Sequence, residues 1–143
     1  MKLVHRLPSV AEYRAFRRHA GWDVPSEARC EAALAQSLCG VVGEVDGVAL
    51  AMARVVGDGT VSLYVQDVVT HPDHRGRGYA TAVLGALIQH LQGAYPADAT
   101  VGLMAAIGQD VLYAKRGFAA RPNAVAGPGM YARLGDLRSR LTP

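Results

Sequence analysis

A chain of 143 residues, half of them hydrophobic and 19% charged, suits one ordinary domain with one core and excludes a disordered polymer. Its net charge of +3 is too mild to argue for nucleic acid and suits an anionic small ligand equally well. No apolar run approaches the ~18 residues of a membrane span, and the opening MKLVHRLPSVAEYR turns polar too early for a signal peptide. The two cysteines, Cys30 and Cys39, sit in no CxxC, and no Cys/His cluster has structural zinc spacing. The expectation is two reduced thiols in a cytoplasmic protein that holds no metal.

Residues 3–7 read as a short strand, punctuated by Pro8 and Ser9. Ser9 and Glu12 have capping-box spacing ahead of a helix, VAEYRAFRRHA, whose inner face is Val10, Tyr13, Phe16 and Ala20 and whose stop is Gly21. Trp22 follows in a loop. A second helix opens at Pro25, or just after it with Ser26 as the cap; Cys30, Leu34 and Leu38 recur every four residues as its packed stripe. After Gly40 the period becomes two. VVGEV and VALAMARVV read as strands joined at Asp46-Gly47, and GDG at 57–59 turns the chain into a longer strand, VSLYVQDVVT, that Pro72 ends.

From position 76 the pattern is helical, with Ala80, Val83, Leu84, Leu87, Ile88 and Leu91 on one face. TVGLMAA at 100–106 reads as a fifth strand and DVLYAKR at 110–116 as a short helix stopped by Gly117. FAAR at 118–121 and MYARL at 130–134 read as the last strands, and RSRLTP as a loose tail. The order predicts an α/β (α+β) fold: a single domain over 1–143 with a mixed sheet and helices against its faces. The crossover from the strand at 60–70 through the helix to 100–106 is long enough to be parallel and right-handed.

Two local features carry chemistry. The first is RGRG at 75–78, leading into the helix. Backbone N–H groups of a helix start lack internal partners and favour an anion. Gly76 and Gly78 leave the backbone bare, while Arg75 and Arg77 add fork-shaped cations suited to phosphate oxygens. Neither a Walker A loop nor a GxGxxG dinucleotide fingerprint is present. The second is Asp67. Under strict alternation it shares a face with Val61, Leu63, Val65 and Val69, so the carboxylate is paired, exposed at a bulge, or functional. Gln66 lies on the other face, placed to orient substrate or a water.

HPDHRGRGYATAVLGAL resembles the coenzyme A-binding segment of the GNAT superfamily of N-acetyltransferases. That signature, Gln or Arg, two residues, Gly, one residue, then Gly or Ala, falls on Arg75, Gly78 and Ala80. VVTHP resembles the family's fourth strand and its exit, and LYAKRGF at 112–118 its Tyr-x-x-x-Gly-Phe element. The resemblance implies a sheet, mostly antiparallel, whose central parallel strands splay to admit acetyl-CoA. Residues Arg75, Gly76, Arg77, Gly78, Tyr79 and Ala80 would then hold the pyrophosphate, and Val68, Val69 and Thr70 the pantetheine arm and acetyl carbonyl. A bulge near Asp67 would be consistent with this. Many members carry an Asn seven residues before the Tyr; here that place is Ala106, so the contact is absent or made by Gln109 or a backbone group.

Acetyl transfer by direct attack needs a neutral amine, a stabilised carbonyl oxygen and a proton for the leaving thiolate. The resemblance places the general acid at Tyr113, and a phenol pKa of ~10 suits that task. Asp67 or a water chain would accept the amine's proton. Trp22 and Glu27 fall where the family lines its acceptor pocket; Glu44 is a similar candidate. The expected activity is an acetyl-CoA-dependent N-acetyltransferase acting on a small primary amine, as a homodimer, with no metal, membrane or nucleic-acid partner. The alternatives are a protein or peptide N-acetyltransferase and a non-catalytic acyl-CoA-binding module. A nucleic-acid binder would cluster its arginines with exposed aromatics, whereas here arginines are scattered and aromatics few.

Overall fold

The computed structural model describes residues 1–137; the tail expected to be loose, 138–143, lies outside the described residues. The chain divides into two compact units, Met1–Met104 and a second that begins at Ala105.

The first unit is built on a five-stranded sheet whose spatial order follows the chain. β1 (Lys2–Val4), β2 (Cys39–Val45), β3 (Val48–Gly57) and β4 (Ser62–Thr70) pair antiparallel, and β5 (Thr100–Gly102) lies parallel to β4. The turns form as their residues dictate. Asp46 and Gly47 both take positive φ (51° and 79°), the geometry of the tight hairpin that Asp-Gly favours. In the β3–β4 turn, Asp58 Oδ1 accepts from the backbone N–H groups of Thr60, Val61 and Ser62. Those three donors hold its carboxyl below the usual carboxylate range.

Helices cover both faces of the sheet. α1 (Val10–His19) starts with the expected capping box: Glu12 N–H donates to Ser9 Oγ, and Ser9 N–H donates to Glu12. α2 (Glu27–Ala35) is capped by Ser26, which settles its start. Tyr13, Phe16, Cys30 and Leu34 from these helices pack with Val42, Met52 and Val69 of the sheet. On the other face α3 (Tyr79–Ala94) buries Val83, Leu84, Leu87 and Leu91. A Cβ on Gly43 would meet Val83 at 3.2 Å, and Gly43 pairs with Ala51 while Val41 pairs with Ala53. That row of small residues lets α3 approach the sheet closely. Both cysteines are free thiols.

β4 carries the decisive irregularity. Its register with β3 shifts between Met52–Val69 and Arg54–Gln66, so β4 holds one residue more than its partner over that interval. Asp67 stands in this bulge with φ 53°, a left-handed conformation that Asp tolerates better than most residues. The side-chain phase changes there. Val65 pairs with Val55 on the α3 face, whereas Asp67 and Val69 point to α1 and α2. Strict alternation therefore fails, and the carboxylate lands in a polar network. Asp67 Oδ2 accepts from Arg54 Nε (2.6 Å) and the Tyr13 hydroxyl (3.1 Å), and Oδ1 accepts from Arg17 Nη1 (3.2 Å). Arg54 also donates to Ser37 Oγ (2.9 Å) and to the Tyr13 oxygen (3.2 Å).

The second unit holds α4 (Asp110–Ala114), with Gly117 at φ 92° just beyond it. The ladder of β5 stops at Gly102 rather than running to 106. The strands expected at 118–121 and 130–134 are not formed. Asn123 instead closes a turn, its Oδ1 accepting from Val125 and Ala126 N–H and its amide donating to the Ala120 carbonyl. Met130, Tyr131 and Leu134 are exposed, so strand formation there would gain no burial to offset its ordering cost.

Gly57 ends β3 at φ 144°, and a Cβ there would run into the Ser62 carbonyl oxygen. Gly57→Ala is expected to lower unfolding free energy by about 2–4 kcal/mol, read by denaturant titration. Asp67→Asn keeps a residue that tolerates the bulge but strips the charge facing two arginines. It is expected to cost about 3–5 kcal/mol, whereas an exposed ion pair would cost less than about 1 kcal/mol.

Candidate active site

The parallel ladder between β4 and β5 has three rungs, from Ser62–Thr100 to Tyr64–Gly102. Beyond it β4 runs on to Thr70, still paired with β3 through Val69–Met52 and Thr70–Ala51. Among the described residues no ladder continues on the β5 side of Val65–Thr70, so that edge presents bare N–H and C=O groups. The bulge supplies a cause, since an extra residue bends and twists the strand that carries it. Val68, Val69 and Thr70, the expected seat of an acyl arm, all lie on this edge.

The chain leaves β4 through His71, whose Nδ1 accepts from Asp73 N–H (3.3 Å), and a 3-10 turn over Pro72–His74. Arg75 is extended, and its guanidinium donates to the His19 carbonyl (3.4 Å). Gly76 and Gly78 take φ 73° and 78°, and a Cβ at either would meet nothing within 4 Å. These glycines serve the left-handed turns and leave the approach to the backbone open. Gly78 is the N-cap of the 16-residue helix α3 and, being glycine, supplies no side-chain cap. The first N–H groups of α3, from Tyr79 and Ala80 onward, point back toward the turn that carries Arg75 and Arg77. Two polar atoms close by are buried without a hydrogen-bond partner: Thr70 Oγ1, on a residue 8% exposed, and His74 Nδ1. Buried orphans of this kind are costly and usually mark a ligand or water position.

The acidic candidates are all engaged. Asp67 has both oxygens engaged by the donors of its network. Glu27 pairs with Arg14 (2.8 Å) at the surface. Glu44 pairs with Arg6 (2.7 Å), which also grips Glu12 (2.7 Å). That triad joins the β1–α1 connection, α1 and β2, and β2 is two strands removed from β4, so Glu44 is not brought together with the bulge. Gln66 is opposite Arg54, next to the network. Trp22 lies beside it too, its ring 5.6 Å from the Arg17 guanidinium carbon.

The network was not anticipated from the sequence, although Tyr13 and Arg17 at helical i, i+4 spacing and an arginine inside the apolar run VALAMARVV were signals for it. A chain of rings, His19–His71 (4.3 Å), His71–His74 (5.5 Å) and His74–Tyr79 (6.1 Å), flanks the turn. Burial and the neighbouring His71 hold the His19 imidazole below its ordinary pKa. His19 and His71 also border a cavity of about 480 Å³ between α1 and the β2–β3 hairpin. Among the described residues no cluster of His, Cys, Asp or Glu can hold a metal ion, and no helix is long and apolar enough to cross a membrane.

In the second unit Tyr113 is buried on α4, its ring edge-on to Phe118 at 6.1 Å. Burial pushes its phenol above the ordinary value, so it holds its proton at neutral and mildly alkaline pH. Gln109 is the N-cap of α4 and makes no capping bond there.

The fold has counterparts among known proteins. A protein of unknown function from meticillin-resistant Staphylococcus aureus, described as a probable acetyltransferase, is 25% identical with a TM-score of 0.81 over 92% of this chain and 98% of its own. An acetyltransferase assigned to the GNAT family from Xanthomonas campestris pv. campestris is 27% identical, with a TM-score of 0.65 over 100% of this chain and 95% of its own. Glucosamine-6-phosphate N-acetyltransferase from Arabidopsis thaliana, 15% identical, shares the fold with a TM-score of 0.64 over 94% of this chain and 99% of its own. Among curated proteins no sequence match is found. The family model for GNAT acetyltransferases matches residues 4–118, across β4, the glycine turn and α4, and the chain belongs to the acetyltransferase (GNAT) family.

Proposed function

We propose that this protein transfers the acetyl group of acetyl-CoA to the primary amine of a small molecule. The observation that carries the reading is the pairing of a β4 edge that no ladder covers among the described residues with a glycine-opened helix start directly after it. The residues present fit acetyl-CoA. An arm rich in amides matches the bare edge of Val68–Thr70, and a diphosphate matches the N–H groups of residues 76–80 between Arg75 and Arg77. The orphaned Thr70 hydroxyl offers a further donor on that path.

Acetyl-CoA supplies an activated thioester, so no covalent enzyme intermediate is needed. In the Val69–Thr70 backbone the Thr70 N–H, which alternates with a His71 N–H that donates to Leu50 on β3, faces the open edge and orients and polarises the carbonyl oxygen. Tyr113 keeps its proton through burial and donates it to the leaving sulfur. Asp67 acts as a positioning residue: locked by Arg54, Arg17 and Tyr13, it sets the bulge that aims Val68–Thr70. The amine's proton leaves through water. Gln109 is the side chain suited to the cofactor-arm contact that Ala106 lacks. Trp22, Gln66 and the end of α1 border the acceptor, while Glu27 and Glu44 are held by arginines and serve the surface and the β1–β2 edge. A cytoplasmic homodimer completes the reading.

A thiol-release assay with acetyl-CoA over a panel of amines and peptides tests the activity; release only with peptides would move the acceptor to the protein class. Tyr113→Phe is expected to lower kcat about 100-fold while sparing acetyl-CoA affinity. Because burial raises the phenol's pKa, wild-type kcat should show no fall from loss of this acid as pH rises toward the ordinary phenol value. A kcat equal to wild type across pH would contradict the acid role. Thr70→Val removes a buried hydroxyl without changing shape. It is expected to leave stability equal or slightly higher and to weaken acetyl-CoA binding about tenfold, read by calorimetry.

A further inference from the structure

Resting on the transferase reading above, we propose that the acceptor amine carries an anionic group, a carboxylate or a phosphate, and that Arg17 receives it. Three acids stand as candidates to meet a cationic acceptor, and all three are paired with arginines: Glu27 with Arg14, Glu44 with Arg6, and Asp67 with Arg54 and Arg17.

The two partners of Asp67 are not equivalent. Arg54 approaches at 2.6 Å with a side chain 10% exposed, and its remaining nitrogens are held by Ser37 and Tyr13. It balances the carboxylate by itself. Arg17 approaches at 3.2 Å and is 19% exposed, so one carboxylate faces two guanidiniums, and the more open of the two is Arg17.

Arg17 is also held ready. Its Nε donates to the Asp23 carbonyl (2.6 Å) and its Nη1 to the Tyr13 oxygen (3.2 Å). Its guanidinium carbon lies 5.6 Å from the ring centres of both Tyr13 and Trp22. A guanidinium fixed this way loses little further freedom on gripping a planar or tetrahedral anion. Trp22, 37% exposed, gives the ligand an apolar wall. The bulge lies two residues before Val69, roughly 7 Å along the strand, so an anion at Arg17 leaves its amine a short reach from the acyl position proposed for Val69–Thr70. The same positive charge repels polyamines and favours the neutral form of a nearby amine, which is the form that attacks.

Paired probes isolate the tail charge: β-alanine against propylamine, O-phosphoethanolamine against ethanolamine, with putrescine as the dication. The charged tails are expected to show KM values about tenfold or more below their uncharged counterparts. They should also change the emission of Trp22, the only tryptophan in the chain. Arg17→Met should erase that advantage through KM, with a lower Tm because Asp67 loses one of its three donors, while acetyl-CoA still binds by calorimetry because Arg54 and Tyr13 keep hold of Asp67; Arg17→Lys should recover part of both. Preference for putrescine or propylamine, or an Arg17→Met loss confined to kcat and equal for both tails, would overturn the proposal. Wild-type protein that binds acetyl-CoA but gives charged and uncharged tails equal KM overturns this inference alone. Wild-type protein that does not bind acetyl-CoA overturns the transferase reading and this inference with it.

Discussion

One carboxylate in a left-handed backbone position organises the molecule. A non-glycine residue at φ 53° is unfavourable, and burying its charge is more so. Both costs are offset because three donors converge on Asp67 from α1 and β3. With the bulge pinned, β4 changes phase; its ladder with β5 ends at Tyr64–Gly102, and among the described residues its last residues pair with β3 alone. The cofactor cleft of the proposed mechanism follows from that constraint. The network that stabilises the bulge is also the boundary of the proposed acceptor site, so stability and specificity share residues.

The glycine turn after β4 works by a complementary principle. Gly76 and Gly78 are required by left-handed φ values, not by crowding, and the result is a helix start whose N-cap carries no side chain. An orphaned hydroxyl at Thr70 and an orphaned imidazole nitrogen at His74 stand beside it. These three features in one stretch of chain point to a polar ligand more strongly than any of them alone.

Much of this was legible in the residues. The capping box at Ser9–Glu12, the Asp46-Gly47 hairpin, the amphipathic stripe of α3 and the anion-ready RGRG turn are local signals, and each forms as local chemistry dictates. The phase of β4 was not legible, because a bulge is set by the partner strand: alternation placed Asp67 with Leu63 and Val65, and one extra residue moved it to the opposite face. The ion pairs of Glu27, Glu44 and Asp67 were hidden for the same reason, since their arginines lie far away in sequence. The strands expected at 118–121 and 130–134 failed for want of burial, which a β-rich composition cannot supply by itself.

Hydrogen–deuterium exchange with and without acetyl-CoA tests the central claim most directly. Open-edge amides of Val65–Thr70 and those of residues 76–80 should exchange quickly in the free protein and become protected when acetyl-CoA is added, while β2 and β3 stay unchanged. Protection already complete in the free protein, or no change in these segments at saturating acetyl-CoA, would contradict the account.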